Sequence, residues 1–201
     1  MGAQVPPGTA AALCCSGFMT ALSGEGAGGG GVDEWRPDIA WLTNHVAVGG
    51  RFPADRIAEL AERHEIRGIV DLRVEECDDE TALANAGIAF LHLPTPDMHP
   101  PDVESLQAGV AFARSIIMRG EKVLIHCQHG IGRSALLALC VLVDQGFAPL
   151  DALSHAKDRR EKISPSPSQF KGWSEWLRAR GHEAPDAHAF GCIAYRHLTR
   201  T

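Results

Sequence analysis

One stretch in the second half of the chain combines a strand, a short loop and a helix. The apolar, β-branched run 123–125 is typical of a buried strand. The run ends at His126 and Cys127, and a loop with glycines at positions 130 and 132 follows. Residues 135–143 are apolar on nearly all faces, as in a buried helix. A cysteine is therefore predicted at the carboxyl end of a strand, in a loop that leads into a helix N-terminus.

This loop has the components of an anion-binding site around a reactive thiol. Glycines let successive backbone N–H groups point inward, and the helix N-terminus adds partial positive charge. Arg133 adds a planar fork that grips two phosphoryl oxygens at once. The same field favours the thiolate of Cys127, and a fall of about three units in its pKa is worth roughly 4 kcal/mol. Cys127 is thus predicted to be a nucleophile, and the hydroxyl of Ser134 is placed to donate to its sulfur as the thiolate leaves.

The pattern His-Cys-x5-Arg-Ser resembles the signature loop of the cysteine-dependent protein tyrosine phosphatase superfamily. The resemblance covers about residues 36–180, and it is most specific at Cys127 and Arg133. It implies that His126 orders the loop by hydrogen bonding, although a lone histidine is equally at home in a core. It also implies a set of phosphate-binding residues: Gln128, His129, Gly130, Ile131, Gly132 and Arg133. His129 is as well explained as an exposed bystander.

A second group of candidate residues lies in the proline-containing segment 93–102. Displacing an alkoxide or phenoxide from phosphorus requires a proton donor on the leaving oxygen. Asp102 directly precedes a helical pattern, so we expect it to cap that helix. Asp97 has no such structural role and lies 30 residues before Cys127. The small dual-specificity phosphatases have an aspartate on a similar loop at about this distance. The resemblance therefore implies that Asp97 is the general acid, with Asp102 as the alternative.

The chain of 201 residues divides into three predicted parts. Residues 1–34 contain no lysine or arginine and a glycine-rich run, so we expect a flexible leader. Residues 35–181 alternate short strand and helix patterns, and residues 182–201 have weak periodicity and are predicted to be a loosely packed tail. The alternation predicts an α/β fold with a central, mostly parallel sheet of about four to five strands flanked by helices. The phosphatase loop is expected between a central strand and a buried helix.

Composition and charge narrow the class of function. The chain is 45% hydrophobic and 22% charged with a net charge of −6, which gives no footprint for nucleic acid or an anionic membrane. The six cysteines lack the spacing of a metal site or a disulfide framework. We therefore expect no cofactor and no metal, and a thiolate nucleophile favours the reducing cytoplasm. Arg73, Glu75 and Glu76 follow a predicted strand end, where they either line the site rim or, as we expect, form a solvated face.

These features predict a protein phosphatase that acts through a phosphocysteine intermediate. The expected substrates are phosphoproteins, with phosphotyrosine preferred and some activity on phosphoserine or phosphothreonine, and we expect a monomer. One alternative is a phosphatase for phosphoinositides or other non-protein monoesters, which the lack of lysines in the loop disfavours. Another is a pseudophosphatase that binds phosphoproteins without turnover, which intact Cys127, Arg133 and Asp97 disfavour. A rhodanese-like sulfurtransferase is disfavoured because its loop is one residue shorter.

Overall fold

The computed structural model describes residues 35–198. The predicted leader, residues 1–34, and residues 199–201 lie outside the described residues, so the leader remains a prediction. The strands are β1 (Ile39–Trp41), β2 (Val46–Gly49), β3 (Ile66–Arg73), β4 (Ala89–Thr95) and β5 (Lys122–His126). The α-helices are α1 (Ile57–Glu62), α2 (Glu80–Asn85), α3 (Val103–Ile117), α4 (Arg133–Asp144), α5 (Pro149–Arg159), α6 (Pro167–Ala179) and α7 (Ala187–Ala194). Short 3-10 helices occupy Ala54–Arg56 and Arg196–Leu198.

The five strands form one sheet in the order β1-β2-β5-β3-β4. β1 pairs with β2 in the antiparallel sense, and the other three pairings are parallel. The predicted α/β fold with a mostly parallel central sheet is therefore confirmed. Because the carboxyl ends of parallel strands share one edge, Gly49 of β2, Arg73 of β3 and His126 of β5 deliver their following loops to the same place.

The central strand β5 leads through the cysteine-containing loop into α4. Every residue of α4 from Arg133 to Val143 is buried. The helix packs on the sheet and also against α3, α5 and α6, which explains why its sequence is apolar on nearly all faces. The start of α4, and with it Arg133, is consequently fixed by packing on several sides.

Two helix starts near the site have side-chain N-caps, and the Asp102 cap is one that the sequence predicts. The Asp102 carboxylate accepts a hydrogen bond from the backbone N–H of Ser105 at 2.6 Å and begins α3. Ser166 and Gln169 form a reciprocal capping box at the start of α6, and Pro167 occupies the first turn. The side chains at the two helix starts therefore satisfy backbone N–H groups that have no partner within the helix.

The prediction of a loosely packed tail after residue 181 is wrong for the part of it that the structure describes. Residues 187–194 form α7, which Asp186 caps, and the side chain of Phe190 is only 2% exposed. Its ring lies against Phe170 with centroids 4.4 Å apart and against Trp173 at 6.1 Å. The helix has only eight residues, so its apolar pattern was too short to stand out from a loop. Within residues 35–198, no helix combines the length and the apolar character that a membrane span requires.

Candidate active site

Cys127 lies directly after β5, at the base of the loop, with 3% of its surface exposed. Burial by itself raises the pKa of its thiol, but hydrogen bonds to the sulfur reverse the effect and leave the pKa below the ordinary thiol value. These bonds come from the Ser134 hydroxyl, with Oγ 3.2 Å from Sγ, and from the backbone N–H groups of Ser134, His129 and Gly130. The loop thus stabilises a thiolate, and Ser134 lies in contact with it.

The loop backbone is held in shape by Gly130 and by Arg160, a buried residue at the C-terminal end of α5. Gly130 has a φ of +65°, and a Cβ there would lie 2.5 Å from both the Arg160 guanidinium and the backbone of Gly49. Arg160 donates through Nε to the Gly130 carbonyl at 2.9 Å and through Nη2 to the His129 carbonyl at 3.0 Å. Asp38 binds the same guanidinium in a two-point ion pair. Because the carbonyls of His129 and Gly130 point toward Arg160, the backbone N–H groups of these residues point toward the Cys127 thiolate.

Arg133 is the first residue of α4 and is 2% exposed. Its Nη1 donates to the Thr95 carbonyl at 2.9 Å and to Glu75 Oε2 at 2.8 Å, and its Nη2 donates to Glu75 Oε1 at 2.8 Å. Its Nε is buried and has no hydrogen-bond partner in the described part of the chain, and it lies 3.3 Å from Oδ1 of Asp97. These bonds use three of the five guanidinium N–H groups, so Nε–H and the second N–H of Nη2 remain available to a ligand within the described part of the chain.

Glu75 is a site residue that the sequence analysis misassigned. We predicted that it forms part of a solvated face with Arg73 and Glu76, whereas its carboxylate binds Arg133 at both oxygens. The Arg133 guanidinium lowers the pKa of Glu75 to about 2. Arg73 is also buried, at 2% exposed, and only Glu76 matches the prediction, with 58% of its side chain exposed. The position of Glu75 just past the end of β3, beside β5, is the signal that could have indicated its role.

The two candidate acids occupy different environments. Asp97 follows β4 by two residues, lines the same cavity as Cys127 and Arg133, and has 69% of its side chain exposed. Asp102 is bound to the start of α3, where the backbone N–H of Ser105 lowers its pKa, and it does not line the cavity. Of the two carboxylates, Asp97 is the one placed where a leaving group would depart.

His126 does not bond to the loop that follows it. Its Nε2 lies 2.7 Å from Oδ2 of Asp78, and its Nδ1 is buried without a partner in residues 35–198. The expected hydrogen bond within the loop is therefore replaced by one to the segment after β3. Asp71, Asp78 and His126 form a group whose ligand atoms lie within 4.8 Å of one another, a spacing that suits a metal. However, Arg73 donates to both aspartates, so this group is a buried ion-pair network centred on Arg73.

Six of the predicted site residues line one small cavity of about 130 Å³, and four others lie outside its lining: His126, Gln128, Gly130 and Ser134. Its lining consists of Asp97, Met98, Cys127, His129, Ile131, Gly132, Arg133, Ser164 and Gln169. Cys127, which is buried like Arg133 and Gln169, forms the floor, and the exposed Asp97 stands at the mouth. Gln128 is half-buried outside this lining, and the sequence analysis had not assigned Ser164 or Gln169 to the site. A nucleophile, an anion-binding arginine and a carboxylic acid thus share one opening of phosphoryl size.

Comparison with known proteins agrees with this arrangement. A family model described as a polymorphic toxin system DSP-PTPase phosphatase matches residues 48–147. Human dual specificity protein phosphatase 1 is 38% identical over 79 residues, which is 38% of this chain and 22% of that protein. The chain therefore spans only about a fifth of the length of that curated relative.

Solved structures give a longer match. The crystal structure of Tk-PTP in its active form is 25% identical with a TM-score of 0.65, covering 71% of this chain and 97% of the other. The crystal structure of PTPMT1 in complex with PI(5)P is 25% identical with a TM-score of 0.67, covering 72% and 99%. Fold, loop and relatives agree, and the chain belongs to the cysteine-dependent protein tyrosine phosphatase superfamily, in its small dual-specificity branch.

Proposed function

We propose that this protein hydrolyses phosphomonoesters through a covalent phosphocysteine. The observation that carries the proposal is the shared cavity, with the hydrogen-bonded Cys127 sulfur at its base, Arg133 in its lining and Asp97 at its mouth. In the first step the thiolate attacks phosphorus, the S–P bond forms and the P–O bond to the leaving group breaks. The loop amides and Arg133 bind the equatorial oxygens, and Asp97 gives its proton to the departing oxygen.

In the second step water releases phosphate from the cysteine. Asp97, now a carboxylate, takes a proton from the attacking water, the O–P bond forms, and the S–P bond breaks with its electron pair returning to sulfur. Ser134 Oγ, 3.2 Å from Sγ, stabilises the departing thiolate by donating a hydrogen bond. The enzyme returns to its starting protonation state, and no metal ion or cofactor takes part in the cycle.

The substrate class that we propose is a phosphoprotein, with phosphotyrosine favoured. Among the residues that line the cavity, Arg133 is the sole permanently cationic side chain, while Asp97 stands at the mouth and Glu75 binds Arg133. Extra phosphate groups, as on a polyphosphorylated inositol ring, would meet these carboxylates. A single phosphate on an otherwise uncharged ring suits the site better. The similarity to a relative named as a dual specificity protein phosphatase supports the same class.

A reaction panel tests this proposal. Purified full-length protein is assayed with EDTA present on phosphotyrosine, phosphoserine and phosphothreonine peptides and on phosphatidylinositol monophosphates in vesicles. We expect turnover of phosphotyrosine first, weaker turnover of the other peptides, and loss of all of it in Cys127→Ser. Preferential turnover of the lipid would instead favour the phosphoinositide alternative. The lipid is included because the structural neighbour PTPMT1 was solved in complex with PI(5)P. Binding of the peptides without turnover would identify a pseudophosphatase.

The proposal extends to the setting of the enzyme. A thiolate that must stay reduced to act favours the cytoplasm, and we propose a monomer that meets its phosphoprotein substrates there. Sedimentation of the pure protein and a blot of cell fractions test these two statements separately from the chemistry.

A further inference from the structure

The segment that carries Asp97 lies along one stripe of α6. The stripe consists of Ser166, Gln169 and Gly172, which are spaced three residues apart and so share a helix face. All three are buried or packed in the structure, although none of them was predicted to belong to the site. Each contacts a different residue of the segment just after Asp97, and the contacts are in register.

Ser166 contacts the first of these residues. Its hydroxyl donates to the Met98 carbonyl at 2.7 Å while its oxygen accepts the backbone N–H of Gln169. Met98 has a φ of +62°, a conformation that a non-glycine residue adopts only when its surroundings hold it there. The Ser166 hydroxyl thus fixes the carbonyl that follows the acid.

Gln169 and Gly172 contact the next two residues. Gln169 accepts the backbone N–H of Ser166 at Oε1 and donates from Nε2 to the His99 carbonyl at 3.2 Å. A Cβ on Gly172 would lie 2.4 Å from Cβ of Pro100, so the proline ring packs directly on the helix. Besides forming the capping box, Ser166 and Gln169 therefore each donate a hydrogen bond to a backbone carbonyl in the segment that follows Asp97.

The same stripe also contacts the phosphate loop. A Cβ on Gly132 would lie 2.5 Å from Oε1 of Gln169, so the amide of Gln169 fills the space between Gly132 and the His99 carbonyl. Gln169 is 1% exposed and is therefore fixed at both ends. Gln169 therefore bridges the nucleophile loop and the segment that follows Asp97.

We propose that Ser166, Gln169 and Gly172 are positioning residues that clamp the general-acid segment, residues 97–100, at a fixed distance from the phosphate loop. The inference rests on the proposed function only for its catalytic consequence, because the clamp itself is a matter of structure. An acid held in this way is ready before substrate binds, and a displacement of about 1 Å at such a group costs roughly 10²-fold in rate. The loss should fall on substrates that need the acid.

Three variants separate the clamp from the helix cap. Gln169→Glu keeps the acceptor for the backbone N–H of Ser166, as in the usual capping box, but has no donor for the His99 carbonyl. Ser166→Gly keeps an N-cap residue that helices tolerate well but removes the hydroxyl. Gly172→Ala raises helix propensity while its methyl group displaces Pro100. Ser166→Thr retains the hydroxyl and serves as the conservative rescue, and Asp186→Gly removes an exposed N-cap from α7 as the matched control.

The first experiment compares the activity of these variants on two substrates that differ in how much their leaving group needs a proton. In Gln169→Glu, Ser166→Gly and Gly172→Ala, kcat on a phosphotyrosine peptide should fall by about 10- to 10²-fold, while dinitrophenyl phosphate, which needs little protonation, changes much less. Ser166→Thr and Asp186→Gly should keep the wild-type ratio. Equal losses on both substrates, or no loss, would overturn the proposal.

Hydrogen exchange of the peptide that spans residues 95–102 provides a test that does not depend on catalysis. Exchange should be faster in Ser166→Gly than in wild type and unchanged in Asp186→Gly. Unchanged exchange in Ser166→Gly would refute the clamp whether or not the protein is a phosphatase. Retained turnover in Cys127→Ser would refute the proposed function and leave this exchange result to decide the clamp.

Discussion

Glu75 and Arg133 form a two-point ion pair in which each carboxylate oxygen lies 2.8 Å from a guanidinium nitrogen. The pair joins the segment after β3 to the first residue of α4, across 58 residues of sequence. It uses one N–H of each terminal nitrogen of Arg133, while Nε lies 3.3 Å from Asp97 at the cavity. The rotamer of the arginine, and with it the direction of the remaining donors, is therefore set by Glu75.

Replacing Glu75 by Gln should weaken the binding of phosphate esters. The loss of a charge-assisted pair that orients Arg133 should raise KM for an aryl phosphate by about tenfold and change kcat less. Initial rates at several substrate concentrations measure both constants. Glu76→Gln is the matched control, because Glu76 pairs with Arg73 instead. The assignment fails if both variants behave alike or if KM for Glu75→Gln equals that of wild type.

The ion pair between Glu75 and Arg133 should persist at neutral pH. The pKa of Glu75 is depressed from 4.5 to about 2, so its stabilising effect is fully present above about pH 4.5 and is lost as the pH falls toward 2. An acidic limb of the activity profile near neutral pH should accordingly be unaltered in Glu75→Gln, since it belongs to other groups.

The thiol of Cys127 should titrate below an ordinary thiol and should depend on Ser134. Burial opposes the thiolate, and the Ser134 hydroxyl is the largest of the hydrogen bonds that lower the pKa of Cys127. The rate of alkylation by iodoacetate, measured against pH, should show an inflection below about 8.5. In Ser134→Ala the inflection should move to higher pH, and second-step hydrolysis should slow. An inflection that stays in place would mean that the loop amides alone stabilise the thiolate.

Asp97→Asn should slow catalysis in proportion to the need of the leaving group for a proton. On a phosphotyrosine peptide kcat should fall by roughly 10²–10⁴-fold, and on an activated aryl ester far less. The alkaline decline of the pH profile should also disappear, because that limb reports deprotonation of the acid. Asp102→Asn should do neither, since asparagine caps a helix as well as aspartate. The reverse result would transfer the acid role to Asp102.

The C-terminal helix should contribute to the stability of the domain. Phe190→Ala removes a ring that is 2% exposed and that packs on Phe170 and Trp173, which should cost about 3–5 kcal/mol of unfolding free energy. Urea unfolding measures the loss. Leu198→Ala, at a side chain that is 71% exposed, should stay within about 0.5 kcal/mol of wild type. Equal stability of the two variants would restore the prediction of a loose tail.

Local sequence predicted the parts of the site that lie on contiguous stretches. Cys127, Arg133 and Ser134 occur in one contiguous strand–loop–helix stretch that hydrophobic periodicity indicates, and Asp97 follows a strand end in a proline-rich segment. The fold class was predictable for the same reason, because alternating strands and helices leave few arrangements other than a parallel sheet.

The contacts that were missed depend on long-range pairing. Glu75 reaches Arg133 only because β3 and β5 are neighbours in the sheet, and its exposed-looking sequence context gives no hint of a partner. Ser166 and Gln169 bond to the carbonyls of Met98 and His99, and these bonds form only because the segment after Asp97 lies beside α6. Periodicity reports which face of an element is buried, and it does not report which distant backbone carbonyl that face meets.

The most direct test of the account is to trap the covalent intermediate. Protein mixed with an activated aryl phosphate is quenched in acid within the first turnover, and the digested peptides are weighed by mass spectrometry. A phosphocysteine mechanism predicts one added phosphoryl group on the peptide that contains Cys127, and more of it in Ser134→Ala, where thiolate departure is slowed. Cys127→Ser should show none and should lose turnover by several orders of magnitude. A phosphoryl group on another residue, or Cys127→Ser turnover within about tenfold of wild type, would contradict the cysteine mechanism.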